Sequence, residues 1–150
     1  MRLRLCYKAA RAGGIGINVK LRDLPESVFA AEHTSIVRVV HDMKACTVHL
    51  LSHPSEHNIE LLFNGVVGVR ILDERDFTEF WRCNAEWCDE IQGALVSQVI
   101  SGGWSQQKEI IESHIPTGFY GVVLEYFVSG DYECVNILCT EPPQMHIRNA

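Results

Sequence analysis

Three histidines recur at intervals of four residues in the segment HLLSHPSEH, as His49, His53 and His57. On one continuous helix, side chains four residues apart share a face, and such a set of imidazoles can bind a metal ion. Pro54 opposes that helix, because proline lacks the backbone N–H that an interior helical residue donates. His49 also belongs to a strand-like run. We therefore expect the three imidazoles to point apart from exposed positions, and we assign no metal site to them.

The six cysteines are not spaced as a CxxC pair, and the two closest pairs, Cys83 with Cys88 and Cys134 with Cys139, are each five residues apart. An odd spacing places two side chains on opposite faces of a strand, so such a pair does not bind one metal ion or form a disulfide without a bulge. A short chain without an export signal is expected to keep its thiols reduced. The cysteines are therefore interpreted as small core residues.

Signatures of catalysis are absent from the sequence, which contains no GxSxG, HExxH or phosphate-loop motif. The run from Gly13 to Gly16 reads GGIG and lacks the lysine and the hydroxyl residue of a phosphate loop. Acid pairs such as Glu86 with Glu90 would share a helix face, but solvated helices commonly show this pattern. We predict no catalytic residue and no cofactor, and we interpret the protein as a non-enzyme.

The densest charged feature is the run from Asp73 to Glu90, where seven acids and two arginines give a net charge of −5. Phe77, Phe80 and Trp81 follow helical spacing within it, which predicts a helix over about 74–90 that packs its aromatic face on a sheet. Its acidic face would suit a basic protein partner, and exposed tryptophans often anchor such contacts. The candidate partner-binding residues are Asp76, Glu79, Glu86, Trp87, Asp89, Glu90 and Trp104. The alternative is that the aromatic residues are core and the acids only solvated.

Alternating or continuous apolar runs elsewhere predict strands. These runs are residues 2–7, 15–21, 35–41, 45–51, 59–63, 67–71, 94–100, 120–128 and 133–140. Residues 42–44, Asn64-Gly65 and Gly130-Asp131 fall between consecutive runs and predict three hairpins, of which Asn64-Gly65 is the strongest local signal. Together these features predict a single α+β domain over residues 1–150, with a mainly antiparallel sheet of about eight strands partly covered by the helix at 74–90.

Composition and charge set the broad class. The chain has 150 residues, 47% of them hydrophobic, and a net charge of −6, although its first 22 residues carry six basic side chains and no acid. A net negative charge opposes general affinity for nucleic acid. No apolar run approaches the roughly 20 residues that cross a bilayer, and the start MRLRLCYKAARAGG has no apolar stretch behind its positive charges. We expect a cytoplasmic protein that binds neither membrane nor nucleic acid.

Several segments resemble small bacterial immunity-type proteins, including those of contact-dependent growth inhibition systems. The resemblance rests on GVVGVRILDERDFTEFW at 65–81, GGW at 102–104, EYFV at 125–128, ECVNILC at 133–139 and EPP at 141–143, and so spans about residues 65–143. It implies a noncatalytic cytoplasmic protein that binds and neutralises a cognate toxin domain. A basic toxin, such as a nuclease, would suit the acidic balance. The basic first 22 residues depart from a uniformly acidic inhibitor.

Two other functions are compatible with the sequence. The first is a small enzyme, or a domain that binds a ligand or metal, which requires a pocket that joins His49, His53 or His57 to a carboxylate. The second is a module for nucleic-acid binding or self-association that uses the basic N-terminal segment. Hairpin edges leave strand pairing between two copies open, so a homodimer is compatible with the sequence as well.

Overall fold

The computed structural model describes residues 19–27, 33–73, 94–106 and 121–149, and nine strands make up most of these segments. The strands are β1 (Lys20–Asp23), β2 (His33–His41), β3 (Ala45–His53), β4 (Asn58–Asn64), β5 (Val66–Asp73), β6 (Val96–Ser101), β7 (Leu124–Ser129), β8 (Glu133–Cys139) and β9 (Gln144–Arg148). Short 3-10 turns occupy Pro25–Ser27 and Trp104–Gln106. No helix of the described residues is long and apolar enough to span a membrane.

The strands form two antiparallel sheets that pack face to face. One has five strands in the order β1-β6-β7-β8-β5, and the other has four in the order β2-β3-β4-β9. Alternate residues of β3 and β4 are buried against residues of β7 and β8 in one apolar core, where the rings of Phe63 and Tyr126 lie 5.9 Å apart. This arrangement is a β-sandwich, in which the inner face of each sheet covers that of the other.

The predicted α+β class is therefore wrong. Strands account for 67% of the described residues, which contain no α-helix. The physical reason is that a second sheet covers the apolar sheet face that we expected a helix to bury. The helix predicted over 74–90 lies outside the described residues, as does the strand predicted over 2–7. The single domain over residues 1–150 stays a prediction.

The hairpin predicted at Asn64-Gly65 is also wrong, because β4 and β5 belong to different sheets. Gly65 has a φ of +60°, so the chain does turn here, in a conformation that favours glycine. The neighbouring hydrogen bonds, however, join other segments: Thr140 N–H donates to Gly65 O, and Val66 N–H donates to Lys44 O, each at 3.0 Å. The dipeptide is thus a crossover between the two sheets.

The two other predicted hairpins are confirmed, since β2 pairs with β3 and β7 pairs with β8. In the first turn, Asp42 Oδ1 accepts hydrogen bonds from the N–H groups of Lys44 and Ala45, both at 2.9 Å. These bonds favour the ionised carboxylate and lower the pKa of Asp42. The strand predicted over 94–100 is confirmed as β6, whereas β9, which pairs with β4, was not predicted.

Candidate functional site

Trp104 is the one predicted partner-binding residue within the described segments; the other six lie outside them. It begins the short turn after β6 and is partly exposed. The guanidinium carbon of Arg70 lies 5.1 Å from the centroid of the Trp104 ring, which is cation–π distance. The ring also lies against the backbone of β5, because a Cβ placed on Gly68 would come within 2.8 Å of Trp104 Cη2.

The backbone of Trp104 is held by a buried carboxylate that the sequence analysis missed. Glu125 in β7 is only 2% exposed. Its Oε1 accepts from Trp104 N–H at 3.0 Å, and its Oε2 accepts from Ser105 N–H at 2.8 Å. Gly103 allows this approach, since a Cβ there would lie 2.6 Å and 2.7 Å from the two carboxylate oxygens. Hydrogen bonds to an ionised acceptor are among the strongest in proteins, so they fix the start of this turn.

Asn136 in β8 connects the carboxylate to Arg70. Its Nδ2 donates to Glu125 Oε1 at 3.0 Å and to Tyr126 O at 3.1 Å, while its Oδ1 accepts from Arg70 Nη2 at 2.9 Å. Arg70, Trp104, Glu125 and Asn136 therefore form a closed set of contacts, which we call the Trp104 cluster. Strand register places it on the outer face of the five-stranded sheet, because Asn136 alternates with the core residue Ile137.

A second group of polar residues lies on the outer face of the four-stranded sheet. Strand register aligns Arg38, His49, Glu60 and His146 in one row across β2, β3, β4 and β9. His49 Nδ1 lies 3.7 Å from Glu60 Oε2, and about one third of each side chain is exposed (32% and 33%). His49 thus lies beside a carboxylate, as the ligand-binding alternative requires.

The other two histidines of the HLLSHPSEH segment lie elsewhere. His53 ends β3, where its register partner is His33 of β2. His57 lies in the turn before β4, and its backbone N–H donates to Ser52 Oγ at 3.2 Å. In the described ranges, no three His, Cys, Asp or Glu side chains are grouped so that they could hold a metal ion. The segment therefore contributes one histidine, His49, to the row.

A cleft of about 350 Å³ opens beside the His49–Glu60 pair. Its lining residues come from β3, β4 and the end of β9, and they are His49, Leu50, Asn58, Ile59, Glu60, Arg148 and Asn149. Leu50 and Ile59 are buried and belong to the core, while the remaining five supply polar groups. The cleft and the Trp104 cluster lie on opposite outer faces of the sandwich.

Comparison with known family models, curated proteins and solved structures finds no match to this chain. The resemblance to immunity-type proteins thus stays a prediction. The Trp104 cluster and the cleft have to be interpreted from their own geometry and chemistry.

The described cysteines are core residues, and their chemistry is that of buried thiols. Cys46 and Cys139 are fully buried between the sheets. Burial raises the pKa of Cys46 to about 11 and that of Cys139 to about 12. Since the thiolate is the nucleophilic form, neither side chain is a nucleophile at neutral pH. Cys134 is also buried, on the opposite face of β8 from Cys139, while Cys6, Cys83 and Cys88 lie outside the described residues.

Proposed function

We propose that this protein is a noncatalytic binding protein, and specifically a cytoplasmic immunity protein that neutralises a cognate toxin domain. The observation that carries the proposal is the Trp104 cluster. A partly exposed indole is held by Arg70 on its face and by a buried glutamate behind its backbone. Tryptophan and arginine are the residue types most enriched among the side chains that dominate the energy of protein interfaces.

Preorganisation is what makes this tryptophan a good anchor. A side chain immobilised on binding costs about 0.5–1.5 kcal/mol of conformational entropy, and a side chain already ordered avoids most of that cost. Trp104 packs against both Arg70 and the backbone at Gly68 in the unbound protein. Burial of the Trp104 ring at an interface therefore adds affinity, and little conformational entropy is lost because the side chain is already ordered.

The net negative charge of the chain indicates the chemical class of its partner. The cluster itself is balanced, with one arginine and one glutamate, whereas the chain carries −6 overall and −5 between Asp73 and Glu90. Long-range attraction between an acidic protein and a basic one raises the association rate, and salt screens it. We therefore propose a basic toxin domain, with Trp104 contributing to affinity and the acidic residues to the rate of encounter.

The test first captures a stoichiometric partner of the tagged protein from its native cell lysate, and then measures binding to that purified partner by calorimetry and by stopped-flow at increasing salt. Trp104→Ala should weaken binding by at least about tenfold, as loss of an interface anchor does. The matched control is Tyr132→Ala, because Tyr132 is 78% exposed in the β7–β8 turn and contributes nothing to the cluster. A Trp104→Ala variant that folds and binds as tightly as the Tyr132→Ala variant would contradict the proposal.

A second candidate function is the binding of a small ligand. It is favoured by one specific observation, the His49–Glu60 pair at the edge of a cleft. The two functions use opposite faces of the sandwich, so one does not exclude the other.

A further inference from the structure

The outer face of the four-stranded sheet has a charge of opposite sign to that of the whole chain. Its charged and titratable strand residues are His33, Arg38, His49, His53, Glu60, His146 and Arg148. Two arginines and one glutamate leave this face at +1 with every histidine neutral, in a chain of −6. Each histidine that protonates adds one further positive charge.

The cleft gathers hydrogen-bond donors on this face. Asn58, Asn149, Arg148 and His49 are among its lining residues, and their side chains carry amide, guanidinium and imidazole N–H groups. Glu60 also lines it, but His49 lies 3.7 Å from its carboxylate. Among the described residues, no carboxylate lies within salt-bridge distance of Arg148. Arg148 is thus without a salt-bridge partner among the described residues, although Glu60 lines the same cleft.

From these donors we infer that the cleft binds a small molecule through an oxyanion group, a carboxylate or a phosphate. A guanidinium presents a rigid fork of N–H groups that matches two oxygens of either group, and neutral amides add donors beside it. The volume of about 350 Å³ lies at the lower end of the range of about 300–1,000 Å³ that is typical of ligand pockets. The cleft lies on a different face from the Trp104 cluster, and binding of an oxyanion there does not depend on the proposed toxin partner.

Glu60 is the residue of the cleft lining that opposes an anion. The groups that face His49 are Glu60 on β4 and Arg38 on β2, with His146 and Arg148 beyond them on β9. Removing the charge of Glu60 should therefore strengthen binding, whereas removing that of Arg148 should weaken it. Sulfate is a suitable probe because its own charge is constant near neutral pH.

The experiment titrates the isotope-labelled protein with sodium sulfate at constant ionic strength and near neutral pH, and follows the backbone amide signals by NMR. We expect saturable shifts confined to the lining residues of β3 and β4 and to Arg148 and Asn149. Arg148→Gln should weaken binding about tenfold, the value of one charge-assisted hydrogen bond. Glu60→Gln should strengthen binding about threefold, because it removes the only acid among the described strand residues of this face.

Arg38→Gln is the matched control, since it makes the same change on the same sheet face but outside the cleft lining. It should alter sulfate affinity by less than about twofold, as expected for a screened surface charge. Equal weakening by Arg38→Gln and Arg148→Gln would mean diffuse attraction to the whole face and would overturn the assigned site. So would the absence of saturable shifts with sulfate, inorganic phosphate and citrate alike.

The same titration separates the two oxyanion classes. Tighter binding of inorganic phosphate than of citrate would assign a phosphate-bearing ligand, and the reverse would assign a carboxylate. Trp104→Ala should leave all of these affinities unchanged, because the Trp104 ring packs against Gly68 of β5, in the other sheet. Urea midpoints of the variants, compared with that of the unmodified protein, establish that any lost binding is not lost folding.

Discussion

Replacing the buried Glu125 by glutamine tests the Trp104 cluster directly. The carboxylate accepts three hydrogen bonds, from Trp104 N–H, Ser105 N–H and Asn136 Nδ2. A glutamine keeps only one acceptor oxygen, so in either orientation at least one of these donors would face the new amide N–H₂. One lost charge-assisted hydrogen bond costs about 1.5–3 kcal/mol, and the remaining bonds weaken when their acceptor becomes neutral. We expect a loss of about 3 kcal/mol in the free energy of unfolding, a large part of the stability of a small domain.

The assay is urea unfolding followed by circular dichroism, with tryptophan fluorescence as a second probe. Glu133→Gln is the matched control, because Glu133 is exposed on the neighbouring strand β8 and the same substitution there should change stability by less than about 0.5 kcal/mol. If the Glu125 and Glu133 variants unfold at the same urea concentration, the carboxylate does not hold the turn. Our account of how Trp104 is positioned would then be refuted.

Two further predictions concern the crossover and the core thiols. Gly65→Ala and Gly121→Ala each place a side chain at positive φ, which costs about 1–2 kcal/mol, but only the first also brings its Cβ onto Thr140 Oγ1. Urea unfolding should therefore show the larger loss for Gly65→Ala, and equal losses would contradict the contact with Thr140. Because their raised pKa values keep Cys46 and Cys139 protonated through pH 9, and both are buried, peptide-level mass spectrometry should find them unalkylated in the folded protein and modified once urea is added. Alkylation of either thiol at neutral pH in the folded protein would contradict its burial in the core.

Local sequence patterns predicted strands well and strand partners less well. The runs at 35–41 and 45–51 are joined by a turn too short for anything but pairing, so the hairpin followed from its length. Asn64-Gly65 carries the same kind of local signal, yet a dipeptide specifies only that the chain turns. The partner strand of β5 is β8, which lies far along the sequence, so local residues do not determine this pairing. The β9 segment was missed because it is short and mostly exposed, and only two apolar residues, Met145 and Ile147, mark its alternation.

The candidate site was predicted only in part for a related reason. Trp104 was proposed from its residue type, but Glu125 and Asn136 were not, although each is a lone polar residue in an otherwise apolar run, LEYFV and CVNILC. Strict alternation would have placed both on the face opposite Tyr126 and Ile137. Their partner Arg70 comes from a third strand, so the network emerges only from the sheet order.

The order of the strands has a consequence for the chain during its synthesis. The β2-β3-β4 meander is local and can form early, but β5 needs β8, and β1 needs β6, whose Ser97 Oγ donates to Asp23 across 74 residues. Non-local pairing of this kind slows folding. A nascent chain that has not yet reached β6 therefore exposes the inner face of the meander, including Leu61 and Phe63, to water. That intermediate exposes apolar surface to which chaperones bind and through which such chains aggregate.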